Sequence, residues 1–194
     1  MENKYEILIN KENPIDEKIY KTFELIEILN VDDEKIKIEK LTYDNYLKLN
    51  KELLEKENIE VGISNSFRDL EKQEEICKEY VKLYGEELAY KLAAIPGTSE
   101  HHTGLAIDIT VKKDDGIYAE TNEELYEAES KFLIVHKYLY KYGFILRYPK
   151  NKTDITKYNY EPWHIRYVGE KIAKICFFEN ITLEEYYNYK IKNY

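Results

Sequence analysis

The clearest alternation in the chain runs through Leu105, Ile107, Ile109 and Val111, with Ala106, Asp108 and Thr110 between them. A period of two predicts a strand with one apolar face and Asp108 on the other. Ile59, Val61 and Ile63 alternate in the same way, and short strands are also predicted over 5–9, 144–148 and 163–168. Helical spacing appears elsewhere. Tyr43, Tyr46, Leu47, Leu53 and Leu54 follow Thr42, a candidate N-cap. Leu70, Ile76, Cys77, Tyr80, Val81 and Tyr84 form a stripe that Gly85 can terminate, and 86–94 reads as a short helix stopped by Pro96-Gly97. Thr121 with Glu124 is a capping box for a helix running towards Tyr142 and ended by Gly143. Thr182 with Glu185 opens the last helix in the same way. Residues 15–29 have mixed spacing, and 149–160 read as a polar loop. Helices and strands are interspersed without a regular βαβ alternation, so the expected class is α+β, with a small, mostly antiparallel sheet flanked by helices.

Composition narrows the function classes. The chain has 194 residues, no repeats and no Gly/Ser linker, so a single domain over 1–194 is expected. Its 43% hydrophobic residues, including 20 Tyr, are enough for a core. A formal charge of −9 disfavours nucleic acid or anionic lipid as partner. Cys77 and Cys176 are too few for a thiolate zinc site and are expected to be buried and reduced. No segment is long and apolar enough for a signal peptide or a membrane span, from which a cytoplasmic location is expected. Oligomeric state is not written in these features.

Three of the four histidines fall in two short segments, Ser99-Glu100-His101-His102-Thr103-Gly104-Leu105-Ala106-Ile107-Asp108 and Glu161-Pro162-Trp163-His164. A catalytic zinc site takes three ligands from His, Asp and Glu and keeps a fourth position open. His101, Asp108 and His164 would fill it, although His102 meets the spacing equally well. Gly104 would let the backbone bend between the first two ligands. Glu161 is the candidate base, a carboxylate near the metal that can move a proton. On a regular strand Glu161 and His164 would face opposite ways, so both reach one metal only if Pro162 distorts the chain. His136, within a helix, is expected to be structural. Trp163 is expected to pack behind the ligands.

Ser99-x-His101-x2-Gly104-x-Ala106-x-Asp108 followed by Glu161-x-Trp163-His164 resembles the paired signature of the zinc D,D-peptidases of the M15 type, the VanY, VanX and VanXY group. Further matches are Arg68 with Gln73, Pro96-Gly97, Gly143-Phe144-Ile145-Leu146-Arg147-Tyr148-Pro149, Arg166-Tyr167-Val168-Gly169 and Thr182-Leu183-Glu184-Glu185-Tyr186. The likeness covers roughly residues 60–190, and the chain's length and the missing export signal look most like the VanXY type. It implies a hedgehog/D,D-peptidase-like fold, one zinc ion on His101, Asp108 and His164, and Glu161 as catalytic base. It also implies Arg68 at the substrate carbonyl or carboxylate, with Gln73 and Ser99 as further substrate-binding residues. The implied substrate is a D-Ala-D-Ala dipeptide or a peptidoglycan stem peptide, and the reaction is carboxypeptidase or dipeptidase hydrolysis. A related zinc peptidase of L,D or L-Ala-D-Glu specificity is the alternative within enzymes. A non-catalytic zinc-containing module binding cell-wall fragments is the alternative outside them. One departure stands out: Asn65-Ser66-Phe67-Arg68 occupies the place of the family's usual Ser-Gly-Tyr-Arg. His102 stands where relatives often carry Gln.

Overall fold

The computed structural model describes residues 4–192. The chain enters on a 3-10 turn, Lys4–Glu6, where a strand was expected over 5–9. A competing donor explains the difference: the Arg166 guanidinium binds the carbonyls of Tyr5 at 3.3 Å and Ile7 at 2.8 Å, so they are satisfied without a neighbouring strand. Helix α1 (Glu17–Tyr20) follows, capped by Asp16. The mixed spacing after it resolves into β1 (Leu25–Leu29), which pairs antiparallel with β2 (Lys35–Glu39). Helix α2 (Lys40–Glu57) is capped by Glu39, one turn ahead of the expected Thr42. Glu39 Oε2 accepts both the N–H and the hydroxyl of Thr42, at 2.8 and 3.0 Å.

The middle of the chain follows its patterning closely. Strand β3 (Val61–Asn65) leads to α3 (Leu70–Tyr84), capped by Asp69 and stopped at Gly85, and then to α4 (Glu86–Leu92). A 3-10 turn, Glu100–Thr103, precedes β4 (Ala106–Val111). The helix expected from Thr121 towards Tyr142 is divided into α5 (Asn122–Glu127), α6 (Glu129–Leu139) and a 3-10 turn, Tyr140–Tyr142. Ala128 takes a ψ of 11°, outside the helical range, and interrupts it. Strand β5 (Phe144–Leu146), the one-turn α7 (Thr153–Thr156), β6 (His164–Tyr167), α8 (Glu170–Phe178) and α9 (Leu183–Lys192) complete the order. Both capping boxes form, at Thr121/Glu124 and at Thr182/Glu185.

The strands make two antiparallel sheets, where one was expected: the β1–β2 ribbon and a four-stranded sheet ordered β3-β4-β6-β5. Leu105, Ile107, Ile109 and Val111 are fully buried against Phe132 and Val135 of α6 and Leu49 and Leu53 of α2. Each such side chain contributes about 1.5–3 kcal/mol by leaving water. The core therefore fixes which face of β4 points away from it, and Asp108 is on that face. A second apolar cluster, including Val168, Ile172 and Leu183, seats α8 and α9. Cys77 and Cys176 are both buried and free. No helix among the described residues is long and apolar enough to cross a membrane.

Candidate metal centre and active site

Strand pairing brings two of the candidate ligands together. β4 and β6 run antiparallel with Asp108 directly opposite His164. His101 arrives from the 3-10 turn just before β4, which Ser99 caps and Gly104 ends at φ 69°. A side chain at Gly104 would place its Cβ 2.7 Å from the Glu39 backbone nitrogen, so glycine is required both for the bend and for the close approach. The result is a triangle of donors. His101 Nε2 lies 3.3 Å from Asp108 Oδ2, and His164 Nδ1 lies 3.2 Å from Asp108 Oδ1. One donor atom from each of the three residues falls within 4.8 Å of the others.

The donor set fits a divalent cation. The outer nitrogen of His101 is engaged by a fixed acceptor and that of His164 faces a buried carboxylate, which leaves the inner nitrogen of each for a metal. His101 Nδ1 is 2.6 Å from the Ser66 carbonyl and must donate to it, so Nε2 keeps its lone pair towards Asp108. His164 Nε2 faces Glu100 Oε2 at 3.7 Å, leaving Nδ1 as the inward nitrogen. Glu100 is itself fully buried and held by Arg147 and Arg166, each 2.8 Å from its Oε1. Burial pushes the Asp108 carboxyl up, but the two imidazoles beside it outweigh this and hold it well below the usual carboxylate range. Burial keeps His101 below the ordinary imidazole value. In His164 burial is overcome by the carboxylates of Asp108 and Glu100 beside it, and its pKa rises to about 9.

Glu161 is delivered by a turn. The His164 N–H donates to the Glu161 carbonyl at 3.3 Å, closing a reverse turn around Pro162 and Trp163, and the Glu161 N–H is tied to the Tyr148 carbonyl at 3.2 Å. This is the distortion at Pro162 that a shared centre demanded. Glu161 Oε2 comes to 3.6 Å from His164 Nδ1, outside the donor triangle. Burial, aided by the charge of Asp108, raises its pKa to about 7 against the opposing pull of His164 and Arg68. A carboxylate so placed can both take and return a proton near neutrality. His136 has a structural task here, as its Nε2 bonds the Pro162 carbonyl at 2.8 Å and steadies the turn.

The remaining expected residues border the same cleft, of about 370 Å³. Arg68 Nη1 donates to Gln73 Oε1 at 2.9 Å, and Gln73 Nε2 donates to the Ala94 carbonyl at 2.7 Å. Gln73 thus commits both ends of its amide within the protein. Ser99 is buried and its Oγ accepts the His101 N–H at 3.4 Å, the turn-capping bond. Trp163 packs against the core and edge-on to Tyr126 while its side chain also borders the cleft. His102 is fully buried and points away from the donor triangle, with Nδ1 2.6 Å from the Arg68 carbonyl and Nε2 3.0 Å from the Gly97 nitrogen. Of the two candidate histidines, only His101 therefore contributes to the donor set. Sequence reasoning missed the work of Glu100, Arg147, Arg166 and Glu184. Their signal was present: arginines beside or within short apolar strands must be paired when buried.

Comparison with known proteins agrees with this geometry. The model of the VanY family, D-alanyl-D-alanine carboxypeptidase, matches residues 35–170. The chain belongs to the VanY family. The carboxypeptidase relative YodJ of Bacillus subtilis (strain 168) is 48% identical over 138 residues, which are 71% of this chain and 48% of YodJ. The chain therefore spans about half the length of that relative. Among solved structures, the LD-carboxypeptidase LdcB is 39% identical with a TM-score of 0.79, over 93% of this chain and 84% of LdcB. The vancomycin resistance D,D-pentapeptidase VanY of a VanB-type cassette, solved in complex with Zn(II), is 31% identical with a TM-score of 0.75, over 95% and 99% of the two chains.

Proposed function

We propose that this VanY-family chain is a zinc-dependent D,D-carboxypeptidase and D,D-dipeptidase that removes terminal D-alanine from peptidoglycan stem peptides or splits the free D-Ala-D-Ala dipeptide. The observation that carries the reading is Asp108 opposite His164, with His101 closing the donor set and Glu161 beside it but outside it. His101 Nε2, His164 Nδ1 and an Asp108 oxygen would hold the zinc, which when bound supplies a Lewis acid for the scissile carbonyl and lowers the pKa of water. Glu161 takes one proton from the attacking water. As the C–N bond breaks, it passes that proton to the departing D-alanine nitrogen and returns to its carboxylate form. The Arg68 guanidinium faces the negative charge that develops on the carbonyl oxygen, where a fixed cation in a dry cleft is most effective. Gln73 keeps that guanidinium in place. The Ser99 hydroxyl accepts from His101 through a lone pair and still has its proton to give the substrate's terminal carboxylate.

Replacing the base separates catalysis from binding. Glu161→Ala is expected to lower D-alanine release about 10²–10⁴-fold while zinc stays at one per chain. Undiminished turnover would remove Glu161 from the mechanism. The similarity to LdcB favours a second reading, hydrolysis of an L,D-tetrapeptide by the same residues. Product analysis with the dipeptide, a D,D-pentapeptide and an L,D-tetrapeptide side by side decides between them. A non-catalytic binding module is disfavoured, since a site that only binds has no use for a proton-accepting carboxylate beside its metal ligands. Retained binding of all three peptides without cleavage would reinstate it.

A further inference from the structure

The segment between β3 and α3 carries Arg68 but lies outside both elements, so its backbone must be held by other means. Three bonds from the 3-10 turn do this: the Ser66 carbonyl takes His101 Nδ1 at 2.6 Å, the Arg68 N–H reaches the His101 carbonyl at 3.0 Å, and the Arg68 carbonyl meets His102 Nδ1 at 2.6 Å. The far side of the His102 ring meets the Gly97 nitrogen at 3.0 Å. Donor chemistry fixes the ring's state. A backbone N–H can only donate, so Nε2 is the bare nitrogen; a carbonyl can only accept, so Nδ1 carries the proton. We infer that His102 is a positioning residue for Arg68, a neutral Nδ1–H imidazole that ties the arginine's backbone to the Gly97 turn and so sets where its guanidinium stands in the cleft.

The other end of Arg68 is anchored to the same stretch. Its guanidinium is held by Gln73, and Gln73 is bonded to Ala94, three residues before Gly97. Both restraints on the arginine therefore converge on 94–97, just ahead of Ser99. A residue retained only to fill space would be apolar here, because each buried ring nitrogen must be matched by a partner. His102 instead spends one nitrogen on each of two segments that line the cleft.

The inference rests on the proposed role of Arg68, and its test uses the zinc-loaded full chain. His102→Leu is expected to lose about 10–100-fold in kcat/KM with zinc content unchanged, the loss that a displaced catalytic group brings. His102→Gln, whose amide can donate to Arg68 and accept from Gly97, is expected to stay within about threefold of the parent. In an Arg68→Ala background His102→Leu is expected to cost less than about twofold more, since both changes remove one contribution. A glutamine variant as impaired as the leucine variant, or losses that add in the double variant, would overturn the inference. A third measurement is independent of turnover. Nitrogen-15 spectra of the parent's imidazoles should show His102 protonated at Nδ1, with slow exchange of the Gly97 amide; an Nε2–H tautomer overturns the clamp whatever the enzyme cleaves. Should His102→Leu fail to fold, the glutamine variant and the spectra still decide. A parent that releases no D-alanine while keeping the Nδ1–H tautomer and the slow amide would defeat the functional reading and leave the clamp standing.

Discussion

Two glutamates flank the same imidazole, and their surroundings assign them opposite tasks. Burial raises both carboxyls. Beside Glu100 the guanidiniums of Arg147 and Arg166 outweigh it and keep the group ionised far into acid, whereas Glu161 has no such pair and rises to about 7. One is a permanent anion that orients His164; the other can exchange a proton. The ligand role of His164 is directly testable. His164→Ala removes one of three protein donors, so zinc retained after dialysis against a weak chelator should fall from one per chain to well below half. An unchanged stoichiometry would mean that the cation sits elsewhere. At this scale the sequence was most informative, because the candidate ligands and the proposed base lie in two short segments whose residue types are unusual together. What it hid were their partners. The Ser66 carbonyl, Glu100 and the Gly97 N–H are joined to the histidines by folding, and no spacing within one segment reveals such bonds.

Among the elements, α2 is tied to the 3-10 turn before β5 through Glu52, which accepts from Lys56, Lys141 and the Tyr142 hydroxyl. These bonds lower the Glu52 pKa to about 2, with Lys56 the largest contributor. A carboxyl with a depressed folded-state pKa adds stability that is complete above its unfolded value near 4.5 and lost as pH falls towards 2. Glu52→Gln should accordingly lower the urea midpoint at pH 7, by the equivalent of about 1 kcal/mol for a partly exposed network. Its deficit relative to the parent should shrink as pH falls below 4.5 and be gone only once the pH has passed below the folded-state value of about 2. A deficit that persists at low pH would assign the effect to packing. Elements with strong alternation or a capping box were legible because side-chain burial and local hydrogen bonds specify them. The β2 strand was missed although Lys35-Ile36-Lys37-Ile38-Glu39 alternates strictly, because two apolar residues in five make a short signal beside the charged residues around it. The break at Ala128 was equally hidden, because alanine suits a helix and an interruption alike.

Over the whole molecule, a buried ionic network joins segments far apart in the chain. Arg147 grips Glu184 of α9 through two bonds, at 2.9 and 2.6 Å, and Asn10 adds a third at 3.1 Å. Arg147 and Arg166 share Glu100, and Arg166 holds the carbonyls of Tyr5 and Ile7. Two arginines balance two glutamates, so removing one partner strands a charge. Arg147→Ala should destabilise the fold by about 3–5 kcal/mol in urea titration. Breaking the exposed Lys72–Glu75 pair should leave the urea midpoint essentially unchanged. A mild effect of Arg147→Ala would show that water enters and solvates the stranded carboxylates. The α+β class was legible as a whole, but the number of sheets was not, because it depends on which distant strands meet. The rung shared by Asp108 and His164 has a final consequence. Side chains alternate sides along a strand, so a one-residue slip of β6 would turn the imidazole into the apolar interior and push Ile165 out into the cleft. The donor set therefore has no half-assembled state: the three candidate ligands face one another or they do not, and the arrangement is won or lost together with the sheet.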